Sequence, residues 1–203
     1  EAAAAVFRNA VARDELRGCV LFVARRGEIL LHEAMGWRDA AKKRRMRKTS
    51  LFRLASNTKP LISTAVLMLA DEDKIDLQAP VGRYLPAFAN EACKTITVHH
   101  LLTHTSGLRI PTLFLSPLMQ ASEEHPQAPT LQLEVDRFAS VGPAHTPGTS
   151  YAYSNPGYNT LGALVEKVSG MSLARFLRKR IYAPLGMKDA CNHESKADPA
   201  RMS

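Results

Sequence analysis

Residues 56–70 read Ser-Asn-Thr-Lys-Pro-Leu-Ile-Ser-Thr-Ala-Val-Leu-Met-Leu-Ala. From Leu61 to Ala70 the apolar side chains fall almost all round a helical wheel, which predicts a buried helix. Ser56 or Asn57 can cap it, and Pro60 fits its first turn, where no intrahelical N–H bond is needed. The charged run Asp71-Glu72-Asp73-Lys74 ends the burial. A serine at the mouth of such a helix, with a lysine three residues on, has a chemical meaning. Positions i and i+3 share a helix face, so the amine of Lys59 lies beside the hydroxyl of Ser56. The hydroxyl stands at the positive end of the helix dipole, where backbone N–H groups can hold an oxyanion. Lysine can ease ionisation of the serine, or act as a base if burial depresses its own pKa. The tetrad alone better fits a capping serine followed by an exposed lysine, because S-x-x-K recurs by chance; its placement before an apolar helix weighs against that reading.

Upstream, residues 1–17 have Val6, Phe7, Ala10, Val11 and Leu16 at near-helical spacing and predict a helix. Cys19 to Ala24 is a continuous apolar, β-prone run, and Ile29 to His32 is a second, with Arg25-Arg26-Gly27-Glu28 between them. Two such runs around a glycine-containing turn predict a hairpin with both faces covered. A lone hairpin is marginal, so these strands need partners that the rest of the sequence does not supply.

Downstream, residues 75–150 read as irregular, with short helical pieces, many prolines and a Ser106-Gly107 turn. Thr97 is placed to cap a short helix through Leu102. The last third is regular again. Leu161, Leu164, Val165 and Val168 lie on one helix face, ended by Ser169-Gly170, and Ser172 opens another helix carrying Leu173, Phe176, Leu177 and Ile181. Before them runs a turn-rich segment, Pro147-Gly-Thr-Ser-Tyr-Ala-Tyr153-Ser-Asn155-Pro-Gly-Tyr158. Turns ahead of a helix present side chains well. A tyrosine near a cationic lysine would have its phenolate favoured and could serve as a general base. A structural loop whose tyrosine hydroxyl meets backbone is the competing reading.

The composition bounds the function. The chain has 203 residues, enough for one large domain with a real core. Its 45% hydrophobic and 23% charged residues exclude a mostly disordered chain. The formal charge of +8 is local, for Lys42, Lys43, Arg44, Arg45, Arg47 and Lys48 supply six of it. That run lacks interleaved aromatics and belongs to no nucleic-acid module, so a solvated loop is expected there and no nucleic-acid partner. Cys19, Cys93 and Cys191 are far apart and form no CxxC pair, which argues against a disulfide framework or cysteine zinc site and favours a reducing compartment. The cytoplasm is therefore favoured, and the periplasm is open to it if a signal was removed in processing. The strongest apolar run is far short of the roughly 20 residues a membrane span needs. His99, His100 and His104 invite a metal reading, but no HExxH and no carboxylate at ligand spacing accompanies them, so capping and packing roles are expected and no metal. GxSxG, GxGxxG and the P-loop are absent.

Taken in order, Ser56-x-x-Lys59, Leu101-Leu-Thr-His-Thr-Ser-Gly-Leu108, Tyr153-Ser-Asn155 and Pro184-Leu-Gly-Met187 resemble the serine β-lactamase-related family of class C β-lactamases, D-stereospecific peptidases and lactamase-like carboxylesterases. The resemblance runs from about residue 17 to residue 190. It implies an α/β (α+β) fold of the β-lactamase/transpeptidase type, with a sheet flanked by helices plus a mainly helical region. Ser56 would be the acylated nucleophile, Lys59 would assist its deprotonation, and Tyr153 would be the general base and later proton donor. Asn155 would orient a substrate amide or carbonyl. The 101–108 stretch would be a structural signature with no catalytic role for His104. A serine hydrolase of small esters or amides follows, with no cofactor, and ester cleavage is expected ahead of β-lactam hydrolysis.

Within that resemblance residues 1–60 form the helix and hairpin that end at the nucleophile, 61–150 a mainly helical and loop region, and 151–203 the Tyr-x-Asn motif and following helices of one catalytic domain. A third motif is expected downstream, Lys-Thr-Gly or His/Trp-x-Gly. Nothing after Tyr153 matches it, and His193 is followed by Glu-Ser. The expectation is therefore a site and sheet incomplete at the C-terminus, completed by further sequence or by another chain. An inactive scaffold that keeps the fold is the rival function. A binder of anionic surfaces through residues 42–48 is a more distant one.

Overall fold

The computed structural model describes residues 2–109, 123, 126, 130–192 and 196–202. The chain divides into two compact units, Glu1–Leu54 with Asp189–Ser203, and Ala55–Lys188.

The first unit is built on a hairpin. Helix α1 (Ala2–Ala12) stops short of the expected residue 17. The chain leaves helical geometry at Asp14, whose φ is +61, and the amides of Glu15 and Leu16 both turn back to the Ala10 carbonyl. Strands β1 (Gly18–Arg25) and β2 (Glu28–Gly36) pair antiparallel, Gly18 opposite Gly36 and Arg25 opposite Glu28. Arg26 and Gly27 form the turn with φ of +51 and +83. Two successive left-handed residues give a short hairpin turn whose twist matches its strands.

The hairpin's faces are not both covered, contrary to the sequence expectation. Phe22, Val23, Ile29 and Leu30 at its turn end are 55%, 40%, 62% and 60% exposed. Cover is confined to the opposite end, where α1 packs and Arg8 pairs with Glu33 at 2.6 Å.

The basic segment is a pinned surface loop. Its six cationic side chains are exposed while Met46 is buried. The Arg45 guanidinium lies 3.9 Å from the Trp37 ring centroid. Lys42 pairs with Asp14 and Arg44 with Asp39, at 2.6 and 2.9 Å. Three free thiols, Cys19, Cys93 and Cys191, complete the cysteine count.

The second unit is helical. A single 3-10 turn, Ala55–Thr58, runs into α2 (Lys59–Asp71). Pro60 sits in the first turn as expected, but no side chain caps the helix, because Ser56 and Asn57 belong to the preceding turn. Helix α2 is also less buried than its composition predicts. Ile62, Ala65, Val66 and Leu69 face the core, whereas Leu67 is 50% exposed. Helix α3 (Val98–Leu102) is capped by Thr97, whose hydroxyl accepts from the His100 amide while His100 Nδ1 accepts from the Thr97 amide. Helix α4 (Leu131–Val141) was not distinguished in the sequence from its irregular surroundings. Thr130 caps it, and Val135, Phe138 and Ala139 are buried.

The central element is α5 (Asn155–Ser169), which packs against α2, α3, α4 and the short α6 (Leu173–Leu177). Nine of its residues are buried, including every one from Thr160 to Val165. The buried Thr160 hydroxyl is satisfied by donating to the Pro156 carbonyl at 2.8 Å. Gly170 closes α5 in left-handed geometry with φ of +67. Ser172 caps α6, which continues into a π-type turn at Arg178–Tyr182. Among the described residues no helix is long and apolar enough to cross a membrane.

Candidate active site

The site lies within the second unit, where the start of α2 meets the start of α5. Ser56 is held in the 3-10 turn one residue after Ala55, an alanine with φ of +45. That left-handed alanine bends the chain just before the serine, which stays exposed at the positive end of α2. Lys59 begins the helix proper and turns back, its Nζ donating to Ser56 Oγ at 3.1 Å.

Tyr153 and Asn155 flank Ser154, the N-cap of α5. The Ser154 hydroxyl accepts from the Gly157 amide at 2.9 Å and donates to the Leu108 carbonyl at 2.5 Å. The cap is buried, so it anchors the segment that carries its two exposed neighbours. The Tyr153 hydroxyl lies 2.6 Å from Ser56 Oγ, donating to it when both are neutral. Asn155 Oδ1 accepts from Lys59 Nζ at 2.8 Å. Tyr153 and Lys59 thus meet at the Ser56 oxygen, and Asn155 joins them through Lys59.

The electrostatics favour ionisation of the tyrosine. The neighbouring Lys59 side chain, and then the Ser56 hydroxyl, hold the Tyr153 phenol below its ordinary value of 10. The Lys59 ammonium lies 4.6 Å from the Tyr153 ring centroid and 5.6 Å from that of Tyr158. Tyr158 was not separated from its motif in the sequence reading. It lies one turn into α5, is buried, donates to the Leu102 carbonyl and meets the Ser63 hydroxyl at 3.1 Å.

Two of the three histidines have capping or packing contacts. His100 completes the α3 cap. His104 packs on Tyr153 and Tyr158, with ring centroids 4.7 and 4.9 Å away. Among the described residues no group of three or more His, Cys, Asp or Glu could hold a metal ion. His193, where the third motif was sought, lies outside the described residues.

A serine, a lysine, a tyrosine and an asparagine are thus linked by hydrogen bonds where α2 and α5 begin. The Beta-lactamase family model matches residues 3–202, and the chain belongs to that family. It is 39% identical over 208 residues to "Esterase EstB" of Burkholderia gladioli, covering 98% of this chain and 52% of the esterase. Among solved structures it resembles EstCE1, a hydrolase with promiscuous acyltransferase activity, with TM-score 0.81 and 26% identity, covering 98% of this chain and 54% of that one. It also resembles the D-amino acid amidase of Ochrobactrum anthropi SV3, with TM-score 0.79 and 32% identity, covering 98% of this chain and 53% of the amidase. The fold is therefore of the β-lactamase/transpeptidase type. The chain spans about half the length of the relatives it matches.

Proposed function

We propose that this chain carries the nucleophile and base of a serine hydrolase that cleaves small esters or amides through an acyl-enzyme. The observation that carries the reading is the placement of Ser56 Oγ between Tyr153 Oη, at 2.6 Å, and Lys59 Nζ, at 3.1 Å. A nucleophile needs a base within hydrogen-bond reach, and a base needs a partner that holds its charged form.

In the reactive state Tyr153 is a phenolate paired with the Lys59 ammonium. It takes the Ser56 proton as Oγ attacks the substrate carbonyl, giving a tetrahedral oxyanion at the positive end of α2. As the intermediate collapses, Tyr153 returns that proton to the departing alcohol or amine, and the acyl group stays on Ser56. Water, deprotonated by Tyr153, then releases the acid and restores the serine. Asn155 directs its Oδ1 to Lys59, which presents the Nδ2 amide as donor to a substrate carbonyl. An ester is the favoured substrate, supported by the 39% identity to an esterase. An amide is the second, supported by the likeness to an amidase.

The test is a fluorophosphonate probe with peptide mapping, followed by p-nitrophenyl butyrate hydrolysis, on the folded protein and on Ser56→Ala. The probe is expected on Ser56, and both signals are expected to vanish in the variant. Failure to label Ser56 in the full-length, folded protein overturns the reading in favour of an inactive scaffold.

A further inference from the structure

His104 meets the proposed machinery through more contacts than a packing residue requires. It holds a left-handed backbone with φ of +58, a conformation uncommon outside glycine in which histidine is over-represented. In that conformation its carbonyl accepts from the Ala152 amide at 2.8 Å, and its Nδ1 accepts from the Ser154 amide at 3.0 Å. Alternate residues of an extended chain point their amides the same way, so one histidine supplies the two acceptors that a neighbouring strand would. Tyr153 lies between those two anchored residues, stacked on the imidazole at 27° between planes. On Tyr158 the ring makes a second contact, and that tyrosine is fixed by the Leu102 carbonyl.

We propose that His104, as a neutral imidazole, is the positioning residue for Tyr153: its ring is the plate on which the phenol lies, and its unprotonated Nδ1 pins the backbone that carries it to Ser56. The proposal rests on the preceding reading of Tyr153 only for its effect on rate. An acceptor at Nδ1 fixes the neutral ring as the Nε2–H tautomer. Protonation would set two N–H donors against each other at Ser154 and place a cation beside Lys59. The ionisable groups facing His104 are Lys59, Tyr151, Tyr153 and Tyr158. Burial, and then Lys59, keep the imidazole below its ordinary value of 6.5, so the ring is neutral at pH 7 and releases Tyr153 only in acid. A packing role alone would make no use of the acceptor, and any flat ring would serve it.

Two variants separate the contacts. His104→Phe keeps a ring and loses the acceptor. His104→Asn keeps an acceptor and tolerates the left-handed backbone, but cannot titrate. Tyrosine 13C NMR, with Tyr153 assigned by its loss in Tyr153→Phe, reads the coupling without reference to catalysis. In the wild-type protein the Tyr153 resonance should move with protonation of His104, and this movement should vanish in His104→Asn. The kcat for p-nitrophenyl butyrate should fall about tenfold in His104→Phe with KM within about twofold, part of the roughly 10²–10⁴-fold a placed base contributes. His104→Asn should recover part of the rate and lose the inflection assigned to the imidazole. A Tyr153 resonance indifferent to His104 titration overturns the proposal, as does a wild-type rate and pH profile in both folded variants. If Ser56 is never acylated but Tyr153 still reports His104, the hydrolase reading falls and the positioning contact stands.

Discussion

Lys59 does three things with one ammonium: it donates to Ser56, donates to Asn155 and faces the Tyr153 ring. Its effect on the tyrosine can be read in a pH profile. A general base works when ionised, so kcat/KM should rise with pH through the Tyr153 titration. Lys59 is the largest cause that lowers that titration below 10. Replacing it by alanine removes the cation that favours phenolate. The rising limb of Lys59→Ala should therefore move to higher pH, and the rate at neutral pH should fall; an unmoved limb would dissociate the lysine from the base. The identities of Ser56, Lys59, Tyr153 and Asn155 were legible because their motifs occur in order along the chain. The resemblance implied that they act together, but the contacts themselves, Tyr153 and Lys59 on Ser56 and Asn155 on Lys59, depend on where the turns of α2 and α5 lie in space. The contact of His104 with Tyr153 was hidden for the same reason, because a left-handed turn is invisible in a string that names no glycine there.

At the level of elements, Ser154 is the joint of the site. One hydroxyl caps α5 and also donates to the carbonyl of the buried Leu108. Ser154→Ala should lose about 0.5–2 kcal/mol for the cap, with a further cost of about 1–3 kcal/mol for the carbonyl left unpaired. Urea denaturation measures the sum. Because Tyr153 and Asn155 flank the joint, labelling of Ser56 should slow even where the variant stays folded. Local signals announced several elements: Thr97, Ser172 and Gly170 mark helix ends by chemistry confined to a few residues. Others were decided by tertiary packing. An apolar run marked α2 as a buried helix, yet α5 is the more enclosed of the two, because four helices surround it while α2 leaves Leu67 in solvent. Helix α4 was missed because proline and glycine on either side obscured the spacing of Leu131, Val135 and Phe138.

For the molecule as a whole, the second unit has a helical core closed around α5, while the first presents apolar strand surface. Phe22, Val23, Ile29 and Leu30 stand in solvent at the turn end of a two-stranded sheet. Among the described residues both strands are edges, and an apolar edge is a template for pairing with any other chain that offers one. The 203-residue polypeptide should therefore self-associate as its concentration rises. Light scattering on the wild type and on Ile29→Lys checks this, with less association expected in the variant because a lysine on an edge strand opposes further pairing. Equal scattering from both would place the association elsewhere. The hairpin, which lies outside the proposed site, would then govern how concentrated a preparation of this 203-residue chain can be made before it leaves solution.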